Sequence, residues 1–314
     1  MPQRIDAFTH WLPESAYRSI IDRRPAGELS GIERPEQFWQ VEPRLTVMDD
    51  YGVDAQVLTF TQHDWAALNP ATALPILELA HDELRRLADK YPARFLPVAT
   101  LPHLTEPYLQ EFERVIDELE FGGVQLFTTY DGRPLDDPAF EPFFAMAAER
   151  NIALWLHPRG QLWYDWTGEY AAEKTFLWPF ETTLAISRLV FGGIFERHPN
   201  LDVVTHHAGG TIPFLANRIA AYYGKEDRTD WVDLSRSVVS YFSSCHADTM
   251  TNGNVPALDL AHDFFDDGRL VFGSDYPFGP DRGRYYVRET IQAVEDMRTD
   301  TGDVFGANVQ TLLG

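Results

Sequence analysis

The sequence predicts an α/β fold, a closed (β/α)8 TIM barrel, and three observations predict it. Short apolar runs alternate with stretches of helical periodicity along the whole chain. Eight such runs can be counted, the number of strands that a closed parallel barrel takes. Several of them end in histidine or aspartate followed by Pro or Gly, which puts polar groups at the C-terminal strand tips, the face where this fold does its chemistry. A length of 314 residues permits two domains, but one barrel uses it whole, so 1–314 reads as a single domain. A doubly wound open sheet is the competing architecture; it wants a Gly-rich first turn, and the first strand here runs into AFTHW instead.

In order, the predicted strands are 4–8, 55–60, 95–100, 123–127, 152–157, 201–206, 238–242 and 270–273. Between them, 70–91 and 141–150 place apolar residues at helical spacing against charged ones. The loops after the first and fifth strands are long, 10–39 and 159–180, and both are rich in aromatics, Trp163 among them. Such loops form a substrate lid over a planar acid, or else the core of an inserted helix or a subunit contact.

The formal charge of −22 excludes nucleic acid and anionic membrane surfaces as partners, since both need a positive patch. The single Cys245 allows no intramolecular disulfide, the N-terminus has no charged segment followed by an apolar one, and no apolar run reaches about 18 residues. A cytoplasmic protein is the expectation. Cys245 and His246 stand side by side in SSCHADT, but they lack the spacing of a metal-binding pair.

The eighth run, RLVFGSDYP, carries a carboxylate to a buried tip, where it cannot stay ionised without a cation or hydrogen-bond donors. Asp275 is therefore a ligand or a capping acid. His10 stands just beyond the first run, the fifth ends in His157 before a Pro, and the sixth in His206 and His207 before a small-residue turn. A lone histidine at a strand end is more often structural, but three strands carrying histidine toward one face alongside Asp275 suit a divalent metal such as zinc with an open coordination position. Adjacent residues of a strand point to opposite sides, so only one of His206 and His207 faces the centre. Arg159, directly after the fifth-strand His-Pro, sits at the barrel mouth as a candidate substrate contact.

IDAFTHWLP, LWLHP, THHAGGTIPF and VFGSDYPFG, in this order, resemble the amidohydrolase superfamily, in the amidohydrolase-2 branch of decarboxylases similar to aminocarboxymuconate-semialdehyde decarboxylase. The resemblance covers the chain to a closing GANVQTLLG. It implies one divalent metal ion, zinc first and manganese or another as alternatives, with no organic cofactor. By position it makes His10, His157 and Asp275 ligands, and His207 the base or acid beside them and the one of the adjacent pair that faces the centre, with His206 packed between strand and helix. Arg44 and Arg218 match positions that recognise the substrate carboxylate, a group that a guanidinium fork grips in two parallel bonds. Arg44 also reads as a helix charge paired with Asp49 or Asp50, and Arg218 as a residue near the site or a partner subunit in a homodimer. Phe8 departs from the pattern, because the family has His or Glu there. The expectation is three protein ligands plus water, or a fourth from His206 or His207, with Phe8 lining the substrate pocket.

The resemblance thus implies non-oxidative decarboxylation of a small unsaturated or aromatic carboxylic acid, with His207 and Asp275 managing the proton. Metal-dependent hydrolysis of an ester, lactone or amide is the alternative. A catalytically silent barrel that binds a ligand is the third reading.

Overall fold

An apolar run becomes a buried strand only where neighbours on both sides complete its hydrogen bonds. The computed structural model describes residues 3–23, 35–60, 65, 68–160, 165–223 and 232–313. Its barrel strands are Ile5–Trp11, Ala55–Phe60, a third in two pieces (Phe95–Pro97 and Ala99–Thr100), Gly123–Phe127, Ala153–His157, Val203–Thr205, His246–Asp248 and Leu270–Val271. All pair in parallel, with Ile5 beside Ala55, Leu58 beside Pro97, Ala99 beside Val124, Phe127 beside His157, Leu156 beside Thr205, Val204 beside His246 and Ala247 beside Leu270. Val98 joins the two pieces of the third strand and donates its N–H to Leu58 O at 3.1 Å.

The ring closes between the eighth strand and the first. Ala7 N–H donates to Phe272 O (2.7 Å), Asp275 N–H to Phe8 O (3.0 Å) and His10 N–H to Tyr276 O (2.7 Å). The buried Asp6 carboxylate locks the seam, accepting from Ser274 N–H at 2.9 Å and from the Ser274 hydroxyl at 2.5 Å.

The seventh predicted strand is a helix. Residues Val238–Ser243 coil, burying Val238, Tyr241 and Phe242 at helical spacing. A five-residue apolar run has no decisive period, and these three positions satisfy the helix as well as the strand. The strand lies a few residues on, at His246–Asp248, so His246 is a sheet residue: its ring is hydrogen-bonded by Arg269. The first strand runs three residues past its predicted end and contains His10, whereas the sixth is only Val203–Thr205.

Inside the ring, Phe8, Ala55, Val57, Val98, Ala153, Trp155, Val204 and Val271 form a core separate from the one between strands and helices. Trp155 crosses it, its indole N–H donating to Ala7 O at 2.8 Å. Gly123 makes room for that ring, since a Cβ there would stand 2.2 Å from it. The last helix, Ala307–Leu313, stoppers the base with Val309 and Leu312. On the outside, Pro70–Lys90 starts at an Asn69 cap that accepts from Thr72 N–H, and buries Ala73, Leu77, Ala80, Leu84 and Ala88 on one face. Glu141–Glu149 is the helix predicted at 141–150. Among the described residues no helix is long and apolar enough to cross a membrane.

Burial pushes the Asp6 carboxyl up to about 7, against the pull of the Ser274 hydrogen bonds and the Arg44 charge. Between about pH 4 and 7 the folded chain then holds a proton that the unfolded chain releases, so this contribution to stability is full below about pH 4 and lost as pH rises to about 7. Replacing Asp6→Asn is expected to flatten the decline across that window, as read from urea midpoints measured at each pH.

Candidate metal centre

Strand alternation sets which side chains look into the barrel. Phe8 and His10 share a face of the first strand, Trp155 and His157 of the fifth, and Val204 is followed by His206 on the sixth. Asp275 follows the eighth strand in a left-handed backbone conformation (φ 63°), a strained geometry that clusters at functional sites. Gly273, before it, is hemmed in: a Cβ would stand 2.9 Å from Phe8 and 3.0 Å from Asp248.

The hydrogen-bond network decides the protonation of three imidazoles. Thr59 Oγ1 donates its one hydrogen to Thr9 O (3.1 Å) and so accepts from His10 Nδ1–H at 3.0 Å. His157 Nδ1–H donates to Pro158 O at 2.6 Å. His206 Nδ1–H donates to Asp248, whose other oxygen takes Ala208 N–H (3.0 Å) and Met250 N–H (3.1 Å). In its neutral form each ring then carries its lone pair on Nε2. His10 Nε2 faces Asp275 Oδ1 at 3.0 Å, and His206 Nε2 is 3.7 Å from the same oxygen. Lone pairs opposed to a carboxylate in a buried site repel unless a cation lies between them.

The ligand atoms of His10, His157 and Asp275 all lie within 4.8 Å of one another, and the three side chains are buried. Two donors on one ion are at most about 4.2 Å apart, so a small contraction completes the set. Burial holds His157 well below the usual imidazole range, with help from the neighbouring His10 and His206 rings. Burial likewise brings His206 down to about 4, against the pull of Asp275. Both rings are neutral at pH 7, as metal ligation requires. The donor set therefore fits a divalent ion.

The remaining expected residues are placed less uniformly. His207 opens the turn after the sixth strand with a left-handed φ of 56°; its ring lies 3.9 Å from that of His206, and its Nδ1 is buried without a hydrogen-bond partner. Phe8 lies in the site, stacked on His206 at 4.2 Å and 13°. Arg159 is at the mouth, its guanidinium donating to Thr129 O at 2.9 Å and its N–H to Glu181 at 2.8 Å. Arg44 is buried and engaged by the protein: it donates to Gln56 Oε1 (2.8 Å) and to His10 O, and lies over the Tyr276 ring at 4.7 Å. Its expected partners differ, since Asp49 pairs with Arg94 and Asp50 with Arg284. Arg218 is exposed on Ile212–Tyr223, over the ring of Tyr222, and is not among the groups that meet the cluster. Trp163 lies outside the described residues.

Sequence reasoning missed Asp248 and Thr59, which orient His206 and His10. Asp248 is legible as an acid at a strand tip once the seventh strand is set at His246–Asp248.

The chain matches a model of the amidohydrolase family over residues 5–308. It is 29% identical over 283 residues to 2-amino-3-carboxymuconate-6-semialdehyde decarboxylase of Dictyostelium discoideum, covering 88% of this chain and 77% of that one. It is 31% identical over 259 residues to gamma-resorcylate decarboxylase of Rhizobium radiobacter, covering 76% of each. Among solved structures, 5-carboxyvanillate decarboxylase of Novosphingobium aromaticivorans, complexed with manganese and 4-hydroxy-3-methoxy-5-nitrobenzoic acid, superposes with a TM-score of 0.86 at 23% identity, over 99% of this chain and 96% of that one.

Lysine at position 44 keeps the charge but cannot reach both Gln56 Oε1 and His10 O. Arg44→Lys is expected to lower unfolding free energy by about 1–3 kcal/mol, the range for leaving a buried hydrogen-bonding group unmade, and chemical denaturation measures it.

Proposed function

This chain belongs to the amidohydrolase family, and from that premise we propose that it is a metal-dependent non-oxidative decarboxylase of a small aromatic or unsaturated carboxylic acid. The observation that carries the reading is the set of imidazole lone pairs gathered round the Asp275 carboxylate at the mouth of the barrel. The names of the two relatives, both decarboxylases, support the reaction class.

His10, His157 and Asp275 hold the ion. When bound, it supplies positive charge to substrate oxygens and to the electrons released at the carbon that loses its carboxylate. The carbon–carboxylate bond breaks, carbon dioxide leaves, and one proton replaces it on the same carbon. That proton comes from solvent, and we assign its delivery to His207, whose Nδ1 is uncommitted, and to Asp275. Arg159 lies where it can meet the substrate acid, while Arg44 acts through the His10 carbonyl that it holds. Arg218, exposed over Tyr222, would serve the site of a partner subunit. Its helix also exposes Phe214 (79%), which supports a homodimer that covers this face. Zinc and manganese both suit imidazole with carboxylate.

The test is elemental analysis of protein purified without added metal, then a screen of hydroxybenzoates and muconate-type acids for released carbon dioxide, with esters and lactones alongside. Carbon dioxide release that depends on metal is expected; hydrolysis without it would transfer the chain to the hydrolases. His157→Ala should purify without its ion, and a full complement in that variant would refute the site. His207→Ala should keep the ion and lower turnover by roughly a hundredfold to ten-thousandfold, the usual effect of removing one positioned proton-transfer group.

A further inference from the structure

We infer that His206 is a fourth protein ligand of this ion, entering from the sixth strand in the place that Phe8 leaves without a donor on the first. The inference rests on the reading that His10, His157 and Asp275 share one ion.

Phe8 and His10 lie two residues apart on one strand face, so a donor at either position would reach the same ion. Phe8 has none, and its buried ring is instead a platform: it stacks on the His206 imidazole at 4.2 Å and 13°. That contact holds the ring roughly parallel to His157, at 5.2 Å and 27°. Asp248 sets the tautomer from behind, and the N–H groups of Ala208 and Met250 fix Asp248 in turn. A carboxylate behind an imidazole is the usual support of a metal-ligating histidine.

The free nitrogen then falls in the right place. His206 Nε2 stands 3.7 Å from Asp275 Oδ1, too far for a hydrogen bond and within the roughly 3–4 Å that separates two donors on one ion. It lies just outside the three-donor set, on the Asp275 side, so that joining it takes a small movement of the ring. A packed histidine would have partners for both nitrogens. Among the described residues His206 Nε2 has no hydrogen bond, whereas Nδ1 is fully engaged. His207 differs on each count: no carboxylate hydrogen-bonds its Nδ1, and it stands on the turn.

The experiment measures zinc and manganese affinity of the apo full-length chain by competition with a fluorescent chelator, with circular dichroism checking that each variant folds. His206→Ala is expected to weaken binding more than about 100-fold and Asp248→Asn about 10–100-fold, the latter the typical effect of removing a ligand's supporting partner. His207→Ala should stay within about threefold of wild type, well under the roughly tenfold floor for such partners. Phe8→His in the His206→Ala background should recover most of the loss, because it returns an imidazole to the same ion from the first strand. Pulsed electron paramagnetic resonance of the wild-type manganese protein needs no variant, and couplings to three imidazoles are expected. Two couplings, or a folded His206→Ala protein with wild-type affinity, would overturn the inference. Wild-type affinity in His157→Ala would instead sink the shared-ion reading beneath it.

Discussion

The seam between the first and eighth strands is the constraint on which the rest of this structure depends. His10 and Asp275 are 265 residues apart in sequence, yet their side chains meet at 3.0 Å. They meet because backbone bonds from Ala7 to Phe272, Asp275 to Phe8 and His10 to Tyr276 fix the register, and because Asp6 clasps Ser274. Side chains alternate along a strand, so a slip of one residue would turn Phe8 and His10 out of the barrel together. The same seam places Phe8 over His206, and so reaches across to the sixth strand.

What the seam assembles is unfavourable on its own. Three imidazoles, each with its Nδ1–H tied to a protein acceptor, gather round one carboxylate, and burial keeps two of them, His157 and His206, neutral. Burial makes the arrangement harder to hold, because neither water nor ready protonation relieves it. A bound cation converts each repulsion into an attraction, and by linkage it stabilises the folded chain in proportion to the logarithm of its concentration over its dissociation constant. The apolar floor beneath, with Trp155 spanning the ring and the last helix stoppering it, keeps water out from below and leaves the mouth as the way in.

Arg44 shows how a residue type can be legible while its task is not. The sequence marks it as an arginine on a helix before the second strand, suited to grip an acid or to pair with Asp49 or Asp50. In the fold it is buried, with one arm on Gln56, another on the carbonyl of His10 and its face on Tyr276. It thus braces the first strand at the level of His10. Tyr276 supplies its face only because the chain after the eighth strand runs on parallel to the first.

Much of the architecture was fixed by local pattern. The runs 55–60 and 123–127 are strands as their apolar pattern and flanking breaks suggest, and the Pro70–Lys90 periodicity is a helix. The tips carrying His10, His157, His206 and Asp275 were visible because a polar group that ends an apolar run must find a partner where the strand stops. Where the pattern was short it misled: 238–242 satisfies both periods, and tertiary packing chose the helix and moved the strand to His246–Asp248. With that shift went Asp248, whose support of His206 no sequence distance reveals. Which of two adjacent histidines faces the centre, which oxygen fixes which tautomer, and what Phe8 does in a place without a donor were decided only by the closed barrel. Those are relations between strands far apart in the chain, set by register and by hydrogen-bond direction, and neither is written in the order of the residues.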